Sequence, residues 1–107
     1  MKRDEIYWTR LDPVEGSEIG KTRPCVIVSL DVLNRVLATV VVCPLTSVAR
    51  PEWRTRLAVT CAGRKADVCA DQIRVASKRR LGKKLGTLSA REAAALRRLL
   101  GEMYASS

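Results

Sequence analysis

Short apolar runs, broken by charge, proline and glycine, fill the first three quarters of the chain, and one segment of helical periodicity closes it. Residues 5–11, rich in aromatic and β-branched types, read as a strand. A loop over 12–23 follows, broken by Pro13, Gly16 and Gly20. Pro24 then introduces residues 25–30, a continuous apolar run of the kind buried on both faces of a sheet. Residues 31–34 predict a turn, and 36–43 the longest β-branched strand. A second loop spans 44–55, punctuated by Pro44 and Pro51, and a strand covers 56–61. Residues 62–67 predict a turn into a short strand near 68–70, with a continuation through 73–75. Residues 78–86 are too charged and glycine-rich to assign.

The ending is better defined. Ser89 and Glu92 form a capping box, in which each side chain accepts from the other residue's backbone N–H. Ala93, Leu96, Leu100 and Met103 follow at helical spacing, with Leu99 and Tyr104 widening the stripe and Arg97 and Arg98 off its centre. Short strands and one C-terminal helix predict a mainly β fold, a small partly open barrel. A length of 107 residues suits one domain, 1–107, with one core.

Composition narrows the function. No apolar window is long enough to span a membrane, and the charged start lacks a signal-peptide pattern, so a soluble cytoplasmic protein is expected. Cys25, Cys43, Cys61 and Cys69 each lie in or beside an apolar run, without a CxxC and without any histidine. They read as reduced, buried, small hydrophobes rather than as metal ligands. The net charge is +9. From Arg74 to Arg98 nine basic residues (Arg74, Lys78, Arg79, Arg80, Lys83, Lys84, Arg91, Arg97, Arg98) stand against Glu92 alone, a net +8. Such a block fits nucleic acid, an acidic protein, or a solvated basic face.

The segments Ile6-Tyr-Trp8, Leu11-Asp-Pro13, Gly16-Ser-Glu18 and Lys21-Thr-Arg-Pro24, running into Val26-Ile-Val28, closely resemble the opening of MazF/PemK-type toxins. Pro44-Leu-Thr-Ser47 and Ala70-Asp-Gln-Ile-Arg74 extend the resemblance, in order, over about residues 5–100. It implies a CcdB/PemK-type SH3-like barrel, a homodimer, sequence-specific cleavage of single-stranded RNA, and a cognate acidic antitoxin whose tail blocks the RNA groove. The sequence departs from the family at two points. Asp4 stands where glycine is common, and Cys69 stands where some members carry a catalytic arginine, whose role is therefore not transferable. A gyrase-poisoning toxin of the CcdB type would need a C-terminal Trp-Gly-Ile, whereas this chain ends Tyr104-Ala-Ser-Ser107. A non-catalytic nucleic-acid-binding barrel would leave the Arg23 and Thr46 motifs unexplained.

Cleaving RNA without an external nucleophile requires a 2′-hydroxyl to lose its proton, a phosphorane to be stabilised, and the leaving oxygen to be protonated. With no histidine and no carboxylate cluster, no cofactor or metal is expected, and arginine, hydroxyls and one carboxylate must suffice. The resemblance makes Arg23 catalytic, and its planar fork of donors matches phosphate oxygens. An ion pair with Asp12 or Glu18 is its structural alternative. The resemblance likewise gives Thr46 a catalytic hydroxyl, where it could instead only close a turn. Glu18 is the third catalytic candidate, as base or base-edge reader, and equally a solvated or paired loop carboxylate. Lys21, Thr22, Ser47, Trp53, Arg54, Arg74, Lys78 and Arg79 are RNA-binding candidates. Of these, Trp53 could stack on a base or cover the barrel, and Arg74 could meet phosphate or pair with Asp71. Asp71 and Gln72 read as ties within the barrel or dimer.

Overall fold

The computed structural model describes residues 1–11, 16 and 21–105. Seven strands, β1 (Glu5–Arg10), β2 (Thr22–Ile27), β3 (Thr39–Thr46), β4 (Arg56–Cys61), β5 (Arg64–Cys69), β6 (Arg74–Ser77) and β7 (Leu81–Thr87), form one antiparallel sheet. Its order is β4-β5-β3-β2-β1-β7, with β6 paired to β3 beside β5. The long β3 thus divides one edge between two partners. Thr39–Val42 pair with β6, whereas Leu45 and Thr46 pair with Val68 and Asp67 of β5. Among the described residues two α-helices complete the fold, α1 (Asp31–Val36) and α2 (Ala90–Tyr104). The sheet curls into a partly open barrel, mainly β with a C-terminal helix, as the pattern predicted, and of the SH3-like type that the family resemblance implies.

Two apolar layers hold it together. Ile6, Val26, Cys43, Leu45, Val59 and Val68 pack under Leu88, Ala93 and Leu96, the last two from the buried stripe of α2. Cys25, Ile27, Val40, Val42, Ala76, Leu81 and Leu11 form the second layer. Alternate residues of β2 therefore serve opposite layers, which is why its run is continuously apolar. The capping box of α2 is complete: Ser89 Oγ accepts from Glu92 N at 3.1 Å and Glu92 Oε1 from Ser89 N at 2.9 Å. Glu92 Oε2 also accepts from Thr60 N at 2.8 Å, so the helix start is fastened to the edge strand β4.

Four local expectations need correction. Residues 31–36 are a short helix rather than a turn. Its Leu33 and Val36 face solvent, so it has no helical apolar stripe, while Asn34 is buried and exchanges hydrogen bonds with Ser29. The strand after Val36 starts later, at Thr39, and continues through Pro44 to Thr46, so the second loop begins later too. Residues 62–67 are mostly strand: only Ala62 and Gly63, both at positive φ (51° and 78°), make the turn. Arg64 and Lys65 are exposed strand positions whose charge imitates a loop. Finally, β7 occupies the segment left unassigned, and its pairing with β1 shifts register twice, which erases the alternation.

Candidate active site

The prolines decide where the sheet opens. The β2–β3 ladder runs Ile27↔Val42, Val26↔Cys43, Cys25↔Pro44 and stops there. Neither Pro24 nor Pro44 has an N–H to continue it. Beyond that point the strands line the two sides of a groove of about 440 Å³, with Thr22, Arg23 and Pro24 on one side and Leu45, Thr46 and Ser47 on the other. Extending the register by two residues sets Arg23 opposite Thr46. The hairpin end of β4–β5 adds Arg64 and Lys65, while Trp8 and Leu85 complete the apolar part of the wall.

Arg23 is half-buried, and among the described residues no carboxylate lies within ion-pair distance of it. Asp12 and Glu18 lie outside the described residues, and with them the third catalytic candidate. Thr46 Oγ1 accepts from Val48 N at 3.2 Å, so the turn-closing role is real. That bond leaves the hydroxyl hydrogen available to the groove. Cys69 does not substitute for the arginine found there in some relatives. It is fully buried, and burial pushes its thiol up to about 11 against the pull of the Arg56 and Arg23 charges. Burial likewise pushes Cys25 and Cys43 up to about 12, which makes both poor nucleophiles. Among the described residues no group of three or more His, Cys, Asp and Glu side chains is placed to hold a metal ion.

The predicted RNA-binding residues separate into two sets. Thr22 and Ser47 line the groove, and Lys21 directly precedes Thr22. Trp53 and Arg54 do not line it. The Trp53 ring carries the Arg56 guanidinium 4.8 Å and the Arg50 guanidinium 5.8 Å from its centroid, and Arg54 is exposed in the same turn. Arg74 pairs across the sheet with Val42, and its charge is felt by Cys25. Lys78 and Arg79 sit past the opposite end of β3 from Thr46, where the Lys78 ammonium donates to the Asn34 carbonyl at the end of α1. The +8 block is therefore dispersed. Lys84 is held by Glu5 at 2.6 Å and Arg97 by Asp4 at 2.7 Å, and no basic residue from 74 to 98 lines the groove.

The groove's own cations, Arg64 and Lys65, and its exposed ring, Trp8, were missed in the sequence. A signal existed for each: a tryptophan on the solvent side of a strand, and two cations directly after a glycine turn.

A model of the PemK-like, MazF-like toxins of type II toxin–antitoxin systems matches residues 2–104. An endoribonuclease MazF of Staphylococcus saprophyticus is 35% identical over 94 residues, covering 83% of this chain and 78% of the relative. Among solved structures, MazF from Deinococcus radiodurans superposes with a TM-score of 0.87 at 26% identity, covering 99% of this chain and 97% of the other. An endoribonuclease in complex with its cognate antitoxin, from mycobacterial species, gives 0.84 at 25% identity, covering 100% and 97%. The barrel, the groove and these matches agree along nearly the whole chain: the protein belongs to the PemK-like, MazF-like toxins of type II toxin–antitoxin systems.

Proposed function

We propose that this toxin, an endoribonuclease, cuts single-stranded RNA in the groove between β2 and β3, using the substrate's own 2′-oxygen as nucleophile. The observation that carries the reading is the separation of the two strands at Pro24 and Pro44, which turns Arg23 and Thr46 toward one opening. A scissile phosphate seated there would have a guanidinium on one side and a hydroxyl on the other. In the reaction the O2′–P bond forms as the P–O5′ bond breaks, one proton leaves O2′ and another reaches O5′. The products are a 2′,3′-cyclic phosphate and a 5′-hydroxyl. Arg23 clamps the phosphorane oxygens, whose extra negative charge develops in the transition state, so its contribution is to rate more than to binding. Thr46 donates to the same centre. Glu18, which lies outside the described residues, is a candidate acceptor of the O2′ proton or reader of a base edge.

Arg64 and Lys65 would hold the flanking phosphates, and Trp8 offers a face on which a base can stack. A cognate antitoxin is the expected partner, with an acidic tail that competes for the same cations. Homodimerisation is supported by an uncovered apolar surface: Leu33 and Val36 on α1 and Val75 on β6 are 43%, 74% and 64% exposed. Among the described residues no helix is long and apolar enough to cross a membrane, and a cytoplasmic location with RNA as substrate follows from the proposal.

The test is truncation of each catalytic side chain. Arg23→Ala and Thr46→Ala should each lower RNA cleavage by about two orders of magnitude, as loss of an oxyanion-type donor does, with an unchanged circular dichroism spectrum. Wild-type cleavage by either variant removes that residue from the site.

A further inference from the structure

We propose that Arg56, seated by Asp67 and Trp53, sets the orientation of the Thr46 hydroxyl through the peptide groups of Val48. The inference rests on Thr46 acting as proposed above, and it assigns Arg56 as a positioning residue.

The path is short and continuous. Val48 N donates to Thr46 Oγ1 at 3.2 Å, and the Val48 carbonyl accepts from an Arg56 terminal nitrogen at 3.3 Å. Both polar groups of one residue are thus used, one on the catalytic hydroxyl and one on the guanidinium. The same Arg56 nitrogen lies 3.9 Å from Asp67 Oδ2, which also accepts from Arg50 N at 2.9 Å. Asp67 is the cross-strand partner of Thr46 on β5. The side chains of Arg56 and Asp67 are only 13% and 8% exposed. The guanidinium is stacked at 4.8 Å over Trp53, whose own backbone is fixed by Trp53 N to Arg50 O at 2.9 Å and Arg56 N to Trp53 O at 3.3 Å. A cation over a ring and beside a buried carboxylate has little freedom, and lysine would not supply the guanidinium group that lies over Trp53.

The consequence is chemical. With Val48 N–H directed at its oxygen, the Thr46 hydroxyl cannot direct its own hydrogen there. It is left to donate into the groove, toward a phosphate oxygen. If Arg56 releases Val48, the 47–49 turn can rotate and the hydroxyl loses its fixed direction, although the groove and its cations remain. Binding should then persist while catalysis falls.

A double-mutant cycle separates this from a purely structural role. Arg56→Gln should lower kcat about tenfold or more while KM stays within about twofold. In a Thr46→Ala background the same change should alter kcat less than about twofold, because the group it orients is gone. Losses that multiply in the double variant, or an unchanged kcat in the single one, would overturn the proposal. Should circular dichroism show that Arg56→Gln does not fold, Trp53→Ala replaces it in the cycle, since that ring lies outside both apolar layers, and Trp53→Phe should restore kcat. Full activity of Thr46→Ala alone overturns the proposed function as well, so the two failures are distinct.

Discussion

Replacing Arg64 and Lys65 together by alanine removes two of the three cations that line the groove among the described residues, Arg23 being the third. Each cation that neutralises a phosphate on a single strand adds about −0.7 to the slope of log affinity against log salt. Three cations give a slope of about −2.1, and Arg23 alone about −0.7. Raising salt from about 50 to 200 mM should weaken wild-type binding about 20-fold and the double variant only about threefold. Fluorescence anisotropy with a labelled, 2′-O-methylated oligonucleotide measures both slopes. Lys78→Ala combined with Arg79→Ala is the matched control. Those residues follow the strand that pairs with the start of β3, seven residues or roughly 23 Å from Thr46. Their removal should leave the slope unchanged. The opposite pattern, a full slope without Arg64 and Lys65 and a shallow one without Lys78 and Arg79, would refute the groove as the binding surface and return the grip to the basic block.

Two further outcomes follow from the same geometry. Burial alone would raise Glu5, but hydrogen bonds from the Lys84 ammonium, Lys2 N and the Tyr7 hydroxyl hold its carboxyl at about 2 instead of 4.5. The folded state therefore favours the carboxylate, so the stabilisation is complete above about pH 4.5 and is lost as pH falls toward 2. Because Lys84 is half-exposed, roughly 1–2 kcal/mol is expected; urea denaturation of Glu5→Gln should show this deficit at neutral pH and converge with wild type in acid, and parallel curves would contradict it. Val36→Glu with Val75→Glu should convert a micromolar dimer to monomer in light scattering, and a wild-type protein already monomeric there would remove the dimer from the account.

Much of the fold was legible because the apolar runs carry it. The continuous run at 25–27 needed two buried layers and has them, and the capping box at Ser89 and Glu92 marked the start of α2. What could not be read was structure held by distant partners. The strand β7 exists through pairing with β1, not through its own Gly-Lys-Lys-Leu-Gly pattern, and α1 is secured by Asn34 on Ser29 rather than by an apolar stripe. At the candidate site, Arg23 and Thr46 were proposed from the family resemblance of the segments around Pro24 and Pro44, and both line the groove. Arg64 and Lys65 escaped because their distance from Arg23 along the chain hides their place in the same groove. The dense run from 74 to 98 drew attention by its charge alone, although several of its cations are tied to Asp4, Glu5 and the end of α1.

The nucleophile is the centre of the account, and a single atom tests it. An RNA oligonucleotide spanning a mapped cleavage site is compared with the same strand lacking only the 2′-hydroxyl on the 5′ side of the scissile phosphate, both in EDTA. The unsubstituted strand should be cut to a 2′,3′-cyclic phosphate and a 5′-hydroxyl, and the deoxy strand should remain intact, because the attacking oxygen is missing. Cleavage of the deoxy strand, or products ending in a 5′-phosphate, would mean that water or hydroxide attacks and that Arg23 and Thr46 do not perform the chemistry assigned to them.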